Sequence, residues 1–279
     1  MRRSIAMLIL LSGTLSVSSV SAQTTPSEEP GRAERLVFLQ NLADEYRIVV
    51  SRDRVAKRWP HPIYRWSHPV GSTADGITYM WMDDEQPVAI GSMMILQDRT
   101  LSGEFQSLTS EPIKAVQANV TIWEPTKPGC EYLRVPDAPK PADSPAERLT
   151  QMKLLARRFS AELTKHPPAY SEGSIWGLRL LPKQLTRYGG SKGLVLDGAL
   201  FAFCHDTDPE ILLSLETRGG KNDLAWNFAF RPLTSWKATG YCDKTIVWSQ
   251  PALASRNAVK QPYMTFFPKT NATLPELMK

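Results

Sequence analysis

Two stretches decide the fold: ADGITYMWMDDEQPVAIGSMM (residues 74–94) and LDGALFAFCHDTDPEILLSLE (196–216). Each starts at an Asp-Gly pair, runs through apolar residues, breaks at a short acidic segment and resumes apolar. An Asp that bonds nearby backbone and a Pro of fixed φ suit a tight connection, so each stretch predicts a strand–turn–strand unit. Laid over one another at an offset of 122, residues 60–93 and 182–215 share eight identical positions in 34 without a gap. The identities include Arg65/Arg187, Asp75/Asp197, Gly76/Gly198, Asp84/Asp206 and Pro87/Pro209.

The match extends both ways. AERL at 33–36 repeats at 146–149, and LTS at 108–110 repeats at 233–235, with Phe105 over Phe230 and Trp123 over Trp248. Blocks in the same order are the mark of a tandem duplication. The expected organisation is module 1 at 33–125, a Pro-rich linker at 126–145, module 2 at 146–251 and a tail at 252–279, part of which (YMTFF, 263–267) is a candidate to dock on a module. Residues 23–32 read as irregular.

Each module opens on a helix. Ser144, Pro145 and Glu147 form a start signal with a capping box, and Leu149, Met152, Leu155, Ala156 and Phe159 fall on one helical stripe. Leu36, Leu39, Leu42, Ala43 and Tyr46 repeat that stripe in module 1. Strands are expected at 175–181, 184–188, 198–204, 211–217, 225–231 and 244–248, joined by connections too short for parallel crossovers. GALFAFC is apolar at nearly every position, which predicts cover on both faces. The fold class is α+β: in each module one N-terminal helix packs on a curved antiparallel sheet.

Composition narrows the function classes. Arg2 and Arg3, then IAMLILL and VSA before Gln23, have the form of a signal peptide over 1–22, which predicts export and a periplasmic or secreted protein. Those arginines are the only charges in that segment, so its removal lowers the formal net charge from +5 to +3. A mild, scattered positive charge does not point to nucleic acid, and no apolar stretch of the mature chain has the length to span a bilayer. Cys130, Cys204 and Cys242 are too few for a disulfide scaffold, and they read either as one bridge plus a free thiol or as small buried residues.

Chemistry-bearing residues are few. His205, Asp206 and Asp208 gather imidazole and carboxylates in one turn, a weak metal candidate because the spacing fits no well-specified motif. The first copy has Asp83, Asp84 and Gln86 there, so the turn reading leads. Asp75 and Asp197 read as paired structural turns, with Arg65 and Arg187 as ion-pair partners. Trp66, Trp81 and Trp123 lie over Tyr188, Phe203 and Trp248 and read as core. Trp59, Trp176, Trp226 and Trp236 lack aromatic counterparts and are the weak candidates for stacking on a ligand, with core the leading role. His61 and His68 fall in Pro-rich turns, and His166 precedes Pro167 and Pro168 after a helix. No zinc helix, nucleophile elbow, P-loop or dinucleotide fingerprint occurs, and no cofactor is expected.

ERLTQMKLLARRFS (147–160), LRLLPKQLTRY (178–188), LDGALFAF (196–203) and TDPEILLSLE (207–216), with PIYRW (62–66) and EFQSLTSEPI (104–113), resemble an uncharacterised family of exported proteins of planctomycete-type bacteria. The resemblance spans about 33–251 and implies export and a shared fold, with no activity, substrate, cofactor or catalytic residue attached. The leading functional expectation is a non-catalytic protein that binds a partner protein or small ligand outside the cytoplasm. The alternatives are a hydrolase or metal-dependent enzyme with its site near 205–208, and a saccharide-binding module.

Overall fold

The computed structural model describes residues 31–68, 71–165, 173–190, 195–220, 223–253 and 258–275. The signal-peptide segment, His166 and most of residues 23–32 lie outside the described residues.

In the first half, α1 (Arg32–Asp44) leads into β1 (Tyr46–Val50), the short β2 (Lys57–Arg58), β3 (Tyr64–His68), β4 (Thr73–Asp83), β5 (Gln86–Leu96), β6 (Leu101–Ser107), β7 (Ile113–Gln117) and β8 (Val120–Trp123). The connector contributes β9 (Leu133–Arg134). The second half runs α2 (Pro145–Ala156), β10 (Phe159–Lys165), β11 (Ser174–Gly177), β12 (Arg179–Leu180), β13 (Thr186–Tyr188), β14 (Val195–His205), β15 (Asp208–Arg218), β16 (Ala225–Pro232), β17 (Lys237–Cys242) and β18 (Thr245–Gln250). The tail adds β19 (Tyr263–Phe266). All pairing among the described strands is antiparallel.

The capping box of α2 forms: Ser144 Oγ accepts from the Glu147 amide at 3.2 Å and donates to the Glu147 carboxylate at 2.6 Å. The helices end earlier than their apolar stripes suggest. Tyr46 and Phe159 are the first residues of β1 and β10, because the chain turns at Glu45 and Arg157 and then enters the strand-forming runs YRIVV and FSAELTK.

The central hairpins β4–β5 and β14–β15 are buried on both faces, as their continuous apolar character requires. Alternate residues separate the two cores. Ile77, Tyr79 and Trp81 join α1, β1 and β7 in a first core. Ala199, Phe201 and Phe203 join α2, β10 and β17 in a second. The opposite faces meet each other: Met80, Met82 and Ile90 pack with Leu200, Ala202 and Leu212 in a third core along the seam between the halves. A Leu or Met buried this way contributes roughly 1.5–3 kcal/mol.

Two six-stranded sheets run β19-β6-β5-β4-β2 and β9-β16-β15-β14-β12, with β3 and β13 each pairing the same central strand as β2 and β12, and two smaller sheets run β1-β7-β8 and β11-β10-β17-β18. The edges are exchanged. The segment following the first half adds β9 to β16, and the segment following the second half adds β19 to β6. The connector is thus more than a spacer, and the tail docks on the first half.

Asp75 and Asp197 are not turn residues. Each sits inside a strand beside a register shift, where it receives two guanidiniums: Arg35 and Arg65 on Asp75, Arg148 and Arg187 on Asp197. The outer arginine also donates to a backbone carbonyl at the start of the helix, Arg32 or Pro145. One carboxylate therefore pins helix, β3-type strand and β4-type strand together in each half. The following glycine is needed for close approach. A Cβ on Gly76 would lie 2.7 Å from Trp66, and one on Gly198 would lie 2.6 Å from Tyr188.

Candidate functional site

The seam has two ends, each formed by a hairpin tip of one half reaching over the β3-type strand of the other. At the first end the β14–β15 turn, with Asp206 at φ 54°, lies over β3. Tyr64 Oη donates to the Thr207 carbonyl at 3.1 Å, Thr207 Oγ1 donates to the Ser67 carbonyl, and Arg179 donates to the Asp206 carbonyl at 2.8 Å. His68, the last residue of β3, is buried beneath this tip. Its Nε2 is 3.1 Å from Asp206 Oδ2, and its Nδ1 is 3.7 Å from Asp208 Oδ2, an ion-pair distance rather than a hydrogen bond. The His68 and His205 rings meet edge-on at 5.4 Å, and Trp176 lies 4.1 Å from the His205 ring. One donor atom from each of His68, His205 and Asp206 lies within 4.8 Å of the other two. The Asp208 carboxylate, with Asp206 behind it, raises the His68 pKa above its ordinary value against the opposing effect of burial.

The sequence singled out His205, Asp206 and Asp208 and left His68 in a Pro-rich turn. The repeat carried a signal for it. At the offset of 122, His68 stands over Gly190 and Asp83 over His205, so neither imidazole has a histidine at the position aligned with it.

At the other end, the β4–β5 tip approaches Gly190, where a Cβ would fall 2.3 Å from the Glu85 carboxylate. Here lies a cleft of about 900 Å³ walled by Arg54, Asp83, Asp84, Glu85 and Glu111 from the first half, Cys130 and Tyr132 from the connector, and Glu216 and Arg218 from the second half. Its inner wall is a connected polar network. Tyr132 and Tyr188 donate to Glu216 Oε1 at 2.5 and 2.7 Å, and Arg218 Nε donates to Glu216 Oε2 at 2.7 Å. Fully buried Arg231 donates to Tyr132 Oη and Ser214 Oγ at 2.8 and 2.7 Å. Burial, opposed by Arg231 and aided by Glu216, pushes the Tyr132 hydroxyl up to about 12, so it stays a donor. The Arg218 guanidinium stacks 3.6 Å over the Tyr132 ring.

The remaining candidates separate by burial. Trp226 is 1% exposed inside the second core, Trp236 packs against that core, and Trp59 is 37% exposed. The aligned positions Trp66, Trp81, Trp123, Tyr188 and Phe203 are buried, and Trp248 is partly buried against the second core. Cys204, on β14, belongs to the seam core and Cys242, on β17 of a different sheet, to the second core; all three thiols are free. Cys130 Sγ donates to the Leu108 carbonyl at 3.2 Å.

No family model, no curated protein and no solved structure matches this chain. Among the described residues, no helix is long and apolar enough to cross a membrane.

Proposed function

We propose that the protein is an exported, non-catalytic binding protein whose two α+β halves descend from a tandem duplication and hold a small cationic ligand in the cleft between them. One observation carries the reading. Among the described residues the cleft wall presents five carboxylates (Asp83, Asp84, Glu85, Glu111, Glu216) against two guanidiniums (Arg54, Arg218), an excess that favours a positive guest. The walls come from both halves and the connector, the usual setting for a small-molecule site. The inner side chains are bonded to one another, which suits a rigid receptor rather than a reacting centre.

Duplication is supported by the common order of elements, the common sheet order and the matching Asp75 and Asp197 clamps. Export is supported by the character of residues 1–22 and by the resemblance to an exported planctomycete-type family, with a periplasmic or secreted location following from it.

Calorimetry on the full chain with agmatine and spermidine, against succinate as an anionic comparator, tests the reading. The expected result is saturable binding of an amine, one per chain, weakened at high salt and at least about tenfold weaker in an Asp84→Asn/Glu85→Gln variant. No saturable binding of either amine, or equal affinity in the variant, overturns it.

A further inference from the structure

We propose that His68, His205 and Asp206 form a site for a divalent first-row cation of the zinc type, clasping the two halves at the end of the seam away from the cleft. The donor set sets the class of ion. Two imidazoles and one carboxylate suit zinc, copper or nickel, whereas calcium and magnesium take oxygen donors.

The spacing fits. On a tetrahedral zinc with bonds of about 2.0–2.2 Å, neighbouring donor atoms lie about 3.3–3.5 Å apart. His68 Nε2 and Asp206 Oδ2 are already 3.1 Å apart, and the His205 donor is within 4.8 Å of both. Closing the set asks for about 1 Å of movement. The adjustable groups are the right ones: the Asp206 side chain is 61% exposed, while that of His68 is 7% exposed and fixed.

His68 is held as a metal-binding imidazole is held. Its ring rests on Gly71, where a Cβ would lie 2.2 Å from Nδ1. Asp208 stands on the Nδ1 side, leaving Nε2 aimed at Asp206. A carboxylate that accepts a hydrogen bond from one ring nitrogen fixes the tautomer and makes the other nitrogen a better donor; from 3.7 Å, Asp208 has to close by about half an ångström to do so. In this arrangement Asp208 is a positioning residue and Asp206 a ligand. Three protein donors leave a fourth position for water.

The fold does not need the imidazoles. The first hairpin makes the same turn with Asp83 in place of His205 and meets Gly190 in place of His68. Asp84 there keeps the positive φ, 51° against 54° at Asp206. What this end of the seam adds to the shared turn is the two imidazoles, His205 on the tip and His68 on the facing strand β3. The cleft lies at the opposite end of the seam, so this proposal stands or falls independently of the function proposed above.

The test uses the full chain, stripped with a chelator and dialysed, titrated with Zn²⁺ by calorimetry and with Co²⁺ by visible absorption. The expected result is one ion per chain at micromolar affinity or tighter, a tetrahedral-type Co²⁺ spectrum, and no competition from millimolar Mg²⁺ or Ca²⁺. His205→Gln and Asp206→Asn, both at the accessible tip, are expected to weaken binding by at least about tenfold, and Asp208→Asn by about 10–100-fold through its hold on His68. Asp84→Asn, at the equivalent position of the other tip, is expected to bind as the parent does. Circular dichroism of each variant confirms folding, and because two tip variants are used the test does not depend on replacing buried His68. Failure to take up Zn²⁺, or uptake that His205→Gln and Asp206→Asn leave unchanged, overturns the proposal.

Discussion

Asp84 and Asp206 hold the same place in their hairpins, with φ of 51° and 54°, and each tip reaches across to the β3-type strand of the opposite half. Behind the first tip sits a buried cation, Arg231, wired through Tyr132 to Glu216. The second tip lies near a buried acid, Glu104, bonded to Tyr263 Oη at 2.8 Å, with His68 between the halves. The two halves agree where each packs on itself and differ where each faces the other. A core position answers to its own helix and sheet, so one solution serves twice. A seam position answers to a partner that is already different, and a difference there costs neither half its own core.

The largest effect expected from testing this comparison is at the part both halves share. Asp75→Ala and Asp197→Ala each leave a buried arginine, Arg35 or Arg148, without its carboxylate. Each is expected to destabilise by about 3–5 kcal/mol in denaturant unfolding. Costs that differ widely between the two would break the equivalence of the halves.

Glu104 tests the difference. Burial, opposed by hydrogen bonds from Ser92 and Tyr263 and aided by Asp208, raises its pKa from 4.5 to about 8. A carboxyl raised on folding contributes stability that is fully present below its unfolded value and lost as pH rises through the folded one. Stability is therefore expected to fall between pH 4.5 and 8, and Glu104→Gln to remove that fall, a gain of the order of 5 kcal/mol at the alkaline end. Thermal melts of parent and variant across this range check it; parallel pH profiles would show that Glu104 does not titrate in the window. The matching position of the second half, Ala229, has nothing to titrate.

The smallest effect separates the tips directly. Glycine relieves the left-handed backbone at either aspartate, so Asp84→Gly is expected to stabilise by up to about 1 kcal/mol. Asp206→Gly gains the same relief but loses the contact with His68, so its melting temperature is expected to move less. Equal shifts would mean that the His68 contact adds nothing.

Much of the scaffold was legible from period and repetition. The hairpins, the α2 start, the Arg65–Asp75 and Arg187–Asp197 pairs and the aligned aromatic core were all readable. The strands after each helix were not, because Tyr46 and Phe159 fall in phase with the helical stripe that precedes them. Nor was β17, whose KATGYC lacks an apolar alternation. The helix arginines Arg35 and Arg148 stood in the repeated AERL block, yet nothing local says that they reach an aspartate 40 or 49 residues away.

By itself the sequence determined two stretches of the same pattern, each predicting a helix before a two-sided hairpin. Hydrophobic period and turn chemistry are local, and the repetition supplied an internal check on both. Only the tertiary structure decided that the units meet face to face, exchange edge strands through the connector and tail, and bring His68 to Asp206 across 138 residues. Those outcomes depend on side chains facing away from their own core, whose partners lie in another part of the chain.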